Sequence, residues 1–370
     1  MVVPLVDLDA QYKEIKTEID VAIARVIGSS KFINGEDVIK FEEEFANYIG
    51  NTYCIGVNSG TDALILGVRA LGLGQGDEVI IPANTYMSGA LAASENGAKP
   101  VFADIDEEDF GINLKDLTNK VNNRTKAVII THLNGQPDKI DEIKNILKKS
   151  GRKIYLVEDA CQAHGAFYKD KRVGSFGVFS AFSFYPGKNL GAFGDAGAIT
   201  TNDKNLAKKY KLLREYGQSK KYFHDVIGIN SRLDTIQAAV LRVKLSHLDN
   251  WNTKRKEIAS QYDKFFEKHL VLIKIPKHFK DRESVYHLYV IRVQQRDKLL
   301  KHLTKNNIQT LIHYPIPLHL QKAYRYLGYS EGDLPIAERV SSEILSLPIY
   351  PQLSKEKHDY ILEKITEFYE

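Results

Sequence analysis

Between residue 53 and about residue 200, short apolar β-rich runs alternate with stretches of helical periodicity, a rhythm that few architectures accept. Strands are expected at 53–57, 78–82, 100–104, 127–132, 154–158, 178–184 and 198–201, with helical patterns around 61–72, 86–97, 138–149 and 203–214. Such alternation predicts an α/β fold with a mostly parallel central sheet flanked by helices on both faces. The glycine-rich step from Phe184 to Ala198 is too short for a helical crossover, so the last two strands are expected to pair antiparallel. From Asp234 to about His269 the pattern becomes one long, highly charged helix or a broken pair. The tail mixes strand candidates at 286–293 and 310–314 with helices near 296–306 and 335–345 and a terminal helix from Ser354. This reading divides the 370 residues into a large α/β domain, 1–249, and a smaller C-terminal α+β domain, 250–370.

Hydrophobic residues make up 43% of the chain and charged residues 26%, enough apolar matter for a substantial core. A net charge of +4, with lysines and acids interspersed, leaves no nucleic-acid footprint, and the charge runs read as solvated helix faces. The start, MVVPLVDLDAQYKEI, is too acidic and too short in its apolar run for a signal peptide. No stretch approaches a membrane span. Cys54 and Cys161 alone exclude a disulfide scaffold, and no metal-ligand spacing accompanies them. A cytoplasmic protein is expected, with no metal and no nucleic-acid or membrane partner.

Lys188 stands out against this ordinary background. It lies in FSFYPGKNLGAFGDAGAI, after the aromatic run from Phe179 to Tyr185 and before Gly191, Gly194 and Gly197. Burial penalises the charged form of an amine, and a neutral amine is a nucleophile able to form a Schiff base with an aldehyde. Upstream, the apolar run of IYLVEDACQAHGA ends in two acids and sets Asp159 at the carboxyl end of a strand, where open α/β sheets bind ligands. A lysine nucleophile and a carboxylate suited to a pyridinium nitrogen are the protein's side of pyridoxal phosphate (PLP) chemistry. A phosphate cup is available in Asn58-Ser59-Gly60-Thr61-Asp62, between a strand and the helical ALILGVRALGL, because free amides at a helix start bind phosphate. Taken singly, several residues also have plain structural readings. Gln162 and His164 read as turn residues, Ser183 as a strand residue facing away from Phe182 and Phe184, Tyr86 as a core aromatic, and Asn230 as a helix cap or its neighbour.

In that order, NSGTDAL, VEDACQAHGA, FSFYPGKNLGAFGDAGA, GINSRLDTIQAAVL and HYPIPLHLQ resemble the sugar aminotransferases of the DegT/DnrJ type. These are fold-type-I PLP-dependent transferases acting on nucleotide-linked keto sugars. The likeness runs from PLVDLDAQY to LPIYPQLS, nearly the whole chain. It implies that Lys188 holds PLP as a Schiff base and moves the substrate proton, and that Asp159 keeps the pyridinium nitrogen protonated. It further implies that Gln162 bonds the phenolic oxygen and Tyr86 stacks on the ring. The phosphate would be held by Gly60, Thr61 and Ser183, with Asn230 reaching in from the partner of a homodimer with shared active sites.

The resemblance carries expectations about the reaction too. The amino donor would be L-glutamate. Related dehydratases place a histidine where this chain has Lys188, which favours transamination. YPGKNLGAFGDAGA resembles members that aminate C3, with Ala196 where glycine is frequent, so a dTDP-linked 3-keto-6-deoxyhexose is the expected acceptor. A 4-keto or UDP-linked sugar, a sugar dehydratase or racemase, and a non-enzymatic PLP-binding regulator are the alternatives. Tyr185, His313, Tyr314 and His319 are candidates to contact sugar or pyrophosphate, or else packing aromatics, and Arg232 is a candidate for the donor's carboxylate.

Overall fold

The protein is described here from a computed structural model that covers residues 1–270 and 272–370. Seven strands make its central sheet, each within two residues of the position expected from the sequence. They are Tyr53–Val57 (β1), Glu78–Pro82 (β2), Lys99–Ala103 (β3), Thr125–Thr131 (β4), Tyr155–Asp159 (β5), Phe179–Ser183 (β6) and Gly197–Thr201 (β7). Their order across the sheet is β1-β7-β6-β5-β4-β2-β3. Every neighbouring pair is parallel except those of β7, which runs against both β6 and β1. The expected antiparallel step is therefore present, at the end of the short glycine-rich connection.

Side-chain alternation along each strand feeds two cores, one on each face. Ile55, Val57, Ile81, Ile129, Val157, Phe179 and Ile199 pack with the helices Gly60–Ala70, Ser88–Ser94 and Lys204–Leu213. Cys54, Ile80, Val128, Ile130, Leu156 and Phe182 pack on the opposite face with the helices Glu36–Ile49 and Ile140–Lys149. A third core forms in the tail around the antiparallel pair Tyr289–Arg292 (β8) and Ile344–Leu347 (β9), with the helices Arg296–Lys305 and Lys355–Tyr369.

The long charged pattern is one unbroken helix, Thr235–His269, and it joins the cores. Its first half gives Ala238, Leu241 and Leu248 to the sheet, and its second half gives Ile258, Tyr262 and Phe266 to the tail. Two tail expectations need correction. Residues 310–314 form no strand; only Leu311 bridges to Ser346, and Pro315 and Pro317, which lack the N–H a ladder needs, follow at once. The run at 286–293 is shortened to β8 because the Val285 and Leu288 amides bond instead to the carbonyls of Gly135 and Asn134, in the loop after β4. That diversion ties the tail to the sheet's edge. Among the described residues no helix is long and apolar enough to cross a membrane.

Candidate active site

Since β1 and β6 both run against β7, the strands β1, β6, β5 and β4 point the same way, and their carboxyl ends share one edge. Register carries this to single residues. Thr131 pairs with Asp159, and Asp159 with Ala181. Ser183 pairs with Gly197, which pairs in turn with Val57, the residue before the Asn58–Asp62 turn. Asp159, Ser183 and that turn are gathered on one edge by strand pairing alone.

Strand alternation then separates the two adjacent acids. Glu158 shares the face of Leu156, is fully enclosed, and is used up by the fold. It accepts from the Gly174, Phe176 and Gly177 amides at 2.7, 2.7 and 2.6 Å and from Ser180 Oγ at 2.9 Å, and lies 3.1 Å from His132 Nε2. Burial alone would push its carboxyl up, but His132 and these amides hold it below its ordinary value. Asp159 shares the face of Val157. One of its oxygens accepts from Cys161 N at 3.2 Å, and among the described residues the other has no protein donor.

Lys188 occupies the loop that joins β6 to β7 at the same edge. The loop is closed by Phe184 N to Ala196 O and Ala192 N to Phe184 O, and Lys188 N donates to Tyr185 O, each at 2.8 Å. Burial pushes the Lys188 amine below its ordinary value, against the opposing pull of Cys161 and Asp159. A larger neutral fraction makes it a better nucleophile.

The turn after β1 leaves backbone amides open at the start of a helix. Ser59 caps the helix by accepting from Asp62 N at 3.1 Å. Ser231 Oγ donates to Asp62 Oδ2 at 2.7 Å and accepts from Asn58 N at 3.2 Å. Among the described residues, the amides of Gly60 and Thr61 have no acceptor. Glycine is required at position 60, where a Cβ would stand 2.7 Å from both Cys161 Sγ and Ser183 Cβ. The Thr61 and Ser88 hydroxyls lie 2.7 Å apart, and Thr61 and Ser183 stay partly exposed. Open amides at a helix start and nearby hydroxyls suit a phosphate monoester. With a lysine amine and a free carboxylate oxygen on the same edge, the residues present fit PLP.

Around this centre, Gln162 is buried with its amide oriented: Oε1 accepts from Asn134 N at 2.7 Å and Nε2 donates to Tyr314 Oη at 3.2 Å. The ring of Tyr314 lies 5.8 Å from that of Tyr86, and burial, reinforced by Asp159, pushes its phenol well up. His313 Nδ1 is 2.8 Å from Ser346 Oγ, and burial together with the Lys188 charge pushes this imidazole down to about 4. The same two causes push His164 down to about 3; it is wedged 5.6 Å from the rings of Phe182 and Phe184. Tyr86 and Tyr185 are largely exposed.

Three residues lie outside this group. Asn230 is exposed, its backbone bridged to Glu215, and the cup of its own chain takes Ser231 instead. Arg232 is engaged with Glu215 at 3.1 Å. His319 is only 1% exposed, with Nε2 2.9 Å from Glu338, whose carboxylate also caps the Gly332 and Leu334 amides. A side chain so enclosed holds the 332–338 turn and has no surface to offer a sugar or pyrophosphate. Ser88, Ser231 and the Asn134 amide were not singled out from the sequence. Ser88 had a faint signal, a hydroxyl opening the small-residue helix of SGALAAS, whereas the other two depend on distant partners.

Residues 13–366 match the DegT/DnrJ/EryC1/StrS aminotransferase family. The chain is 46% identical over 362 residues to the erythromycin biosynthesis sensory transduction protein EryC1 of Saccharopolyspora erythraea, covering 98% of each. It is 46% identical over 366 residues to the dTDP-3-amino-3,6-dideoxy-alpha-D-galactopyranose transaminase of Aneurinibacillus thermoaerophilus, covering 99% of each. Among solved structures, that of DesV from S. venezuelae in complex with a ketimine intermediate superposes with a TM-score of 0.96 at 43% identity, covering 100% of this chain and 99% of that one. The chain belongs to the DegT/DnrJ/EryC1/StrS aminotransferase family.

Proposed function

We propose that this PLP-dependent aminotransferase moves an amino group from L-glutamate to C3 of a dTDP-linked 3-keto-6-deoxyhexose. The observation that carries this reading is the meeting of Lys188, Asp159 and the open Gly60–Thr61 amides on one sheet edge. The acceptor is supported by the relative whose name specifies a dTDP-linked 3-amino-3,6-dideoxy sugar. When bound, PLP supplies an electron sink for charge developing on the substrate carbon.

The chain's own residues supply the rest. The Gly60 and Thr61 amides and the Thr61 and Ser183 hydroxyls hold the phosphate. Asp159 keeps a proton on the ring nitrogen, Gln162 addresses the phenolic oxygen through Nε2, and Tyr86 covers the ring. Lys188 Nζ would take a proton from the donor's carbon in the first half-reaction and deliver one to the acceptor's carbon in the second, a task suited to an amine whose pKa burial has lowered. Tyr185, His313 and Tyr314 line the approach for the sugar. The exposed Asn230 completes the phosphate site of a second copy, in a homodimer with shared active sites, and the protein works in the cytoplasm.

EryC1, which carries a regulatory name, is as similar as the named transaminase, which keeps a regulatory reading in view. Incubation with L-glutamate and a dTDP-3-keto-6-deoxyhexose separates the two. Stoichiometric 2-oxoglutarate and dTDP-3-amino sugar are expected. Bound PLP without either product would return the protein to the regulatory reading.

A further inference from the structure

Asn189, immediately after Lys188, is 2% exposed, and every polar atom of its side chain is engaged. Its Nδ2 donates to Asn252 Oδ1 at 2.9 Å and to the carbonyl of Val285 at 3.0 Å. Asn252, inside the long helix and 3% exposed, in turn donates from Nδ2 to the carbonyl of His164 at 2.8 Å. The fit is close: at Gly165 (φ +89°) a Cβ would stand 2.8 Å from Asn252 Nδ2. Backbone carbonyls only accept, so both amides have a single orientation. Asn189 Oδ1 must then face His287 Nδ1, 3.2 Å away. That contact is a hydrogen bond only if Nδ1 carries the proton, which leaves Nε2 as the acceptor of the ring.

Asn189 thus joins the lysine loop, the loop after β5, the long helix and the approach to β8. We propose that Asn189 is a positioning residue that orients Lys188, its neighbour in the chain, and holds His287 in its Nδ1–H tautomer, with Nε2 presented as an acceptor. Burial is the main cause that holds the His287 ring well below its ordinary value, and Lys188, Arg255, His313 and His164 act in the same direction. Arg255, itself buried and, among the described residues, without an acid partner, donates to the carbonyls of Tyr286 at 3.3 Å and Ile349 at 2.8 Å, fixing the backbone beside His287. The proposal rests on the reading of Lys188 as the lysine that binds PLP.

The test uses wild type, Asn189→Asp, His287→Gln and the double variant, each as purified holoprotein. Borohydride reduction and peptide mass first report whether PLP is attached to Lys188. The visible band is then titrated with pH, and kcat and KM are measured with L-glutamate. In Asn189→Asp a carboxylate faces His287 Nδ1, so the imidazole should gain a proton near neutrality. A new ionisation is therefore expected in the visible band, absent from the double variant, with kcat at least tenfold lower and KM within threefold. His287→Gln alone should also lower kcat at least tenfold, and it keeps the test decisive if substitution at position 189 prevents folding. A merely structural role would lower the melting temperature without the new ionisation. Titration and kcat like wild type in Asn189→Asp, or unchanged kcat in His287→Gln, would overturn the proposal. Absence of PLP on Lys188 in wild type would instead overturn the reading beneath it.

Discussion

In Glu158 and Asp159 the chain sets two carboxylates side by side, and strand alternation sends them to opposite faces with opposite fates. The dipeptide was legible as the end of a strand, but parity only says that the two diverge. Which one serves the fold depends on the 174–180 segment, whose amides and Ser180 hydroxyl engage Glu158. Glu158→Gln is accordingly expected to cost about 1–3 kcal/mol of stability in denaturant melts, the scale of disturbing a buried hydrogen-bonded group. The folded fraction should keep kcat within a few fold. Asp159→Asn should do the reverse, with a melt close to wild type and kcat down by about 10²-fold or more, since a neutral amide cannot hold the proton on the ring nitrogen as a carboxylate does. Equal kcat losses in the two variants would show that parity has been misassigned. Lys188→Ala should lose about 10²–10⁴ in turnover, the range of a positioned proton-transfer group, while still binding PLP. Wild-type turnover would remove the lysine from the chemistry.

The strands were the most legible elements because each carries its own signal: a short β-rich run bounded by polar or glycine punctuation. The failures have two causes. Residues 310–314 had strand composition, but the prolines that follow leave a single bridge to Ser346. The contacts of Asn189, Ser231 and His319 join residues far apart in the chain, so no local pattern announces them. The phosphate turn lies between these cases. SGT at a helix start was visible, whereas the closeness of Cys161 and Ser183 to Gly60 comes from the sheet's register. Gly60→Ala tests that closeness. Overpacking there is expected to cost about 1–3 kcal/mol, and the part felt by the cup should weaken PLP binding by about tenfold. Equilibrium dialysis against PLP measures this; unchanged affinity would mean that the cup does not bind the phosphate.

Across the whole molecule, three imidazoles stay neutral around one lysine, His164 fully enclosed and His287 and His313 half-buried, with His164 at about 3 and His313 at about 4 against an ordinary 6.5. Between the ordinary and the folded values the unfolded chain binds protons that the folded chain refuses. This contribution to stability is therefore complete above about pH 6.5 and is lost as pH falls through about 4 toward 3. Calorimetry should show a melting temperature that drops over that interval, with a shallower drop in His164→Phe; an identical slope would show that His164 contributes nothing. Shared sites predict complementation between two inactive chains. Verified heterodimers of Lys188→Ala and Asn230→Ala subunits should regain part of the wild-type activity, because one of their two sites is intact, and no recovery would place Asn230 outside the partner's site. The central claim is tested most directly by the visible absorbance of the purified protein, recorded before and after L-glutamate and again after a 3-keto nucleotide sugar. The predicted result is a cofactor band that glutamate bleaches and the keto sugar restores. No band after supplying PLP, or a band indifferent to both substrates, would contradict it.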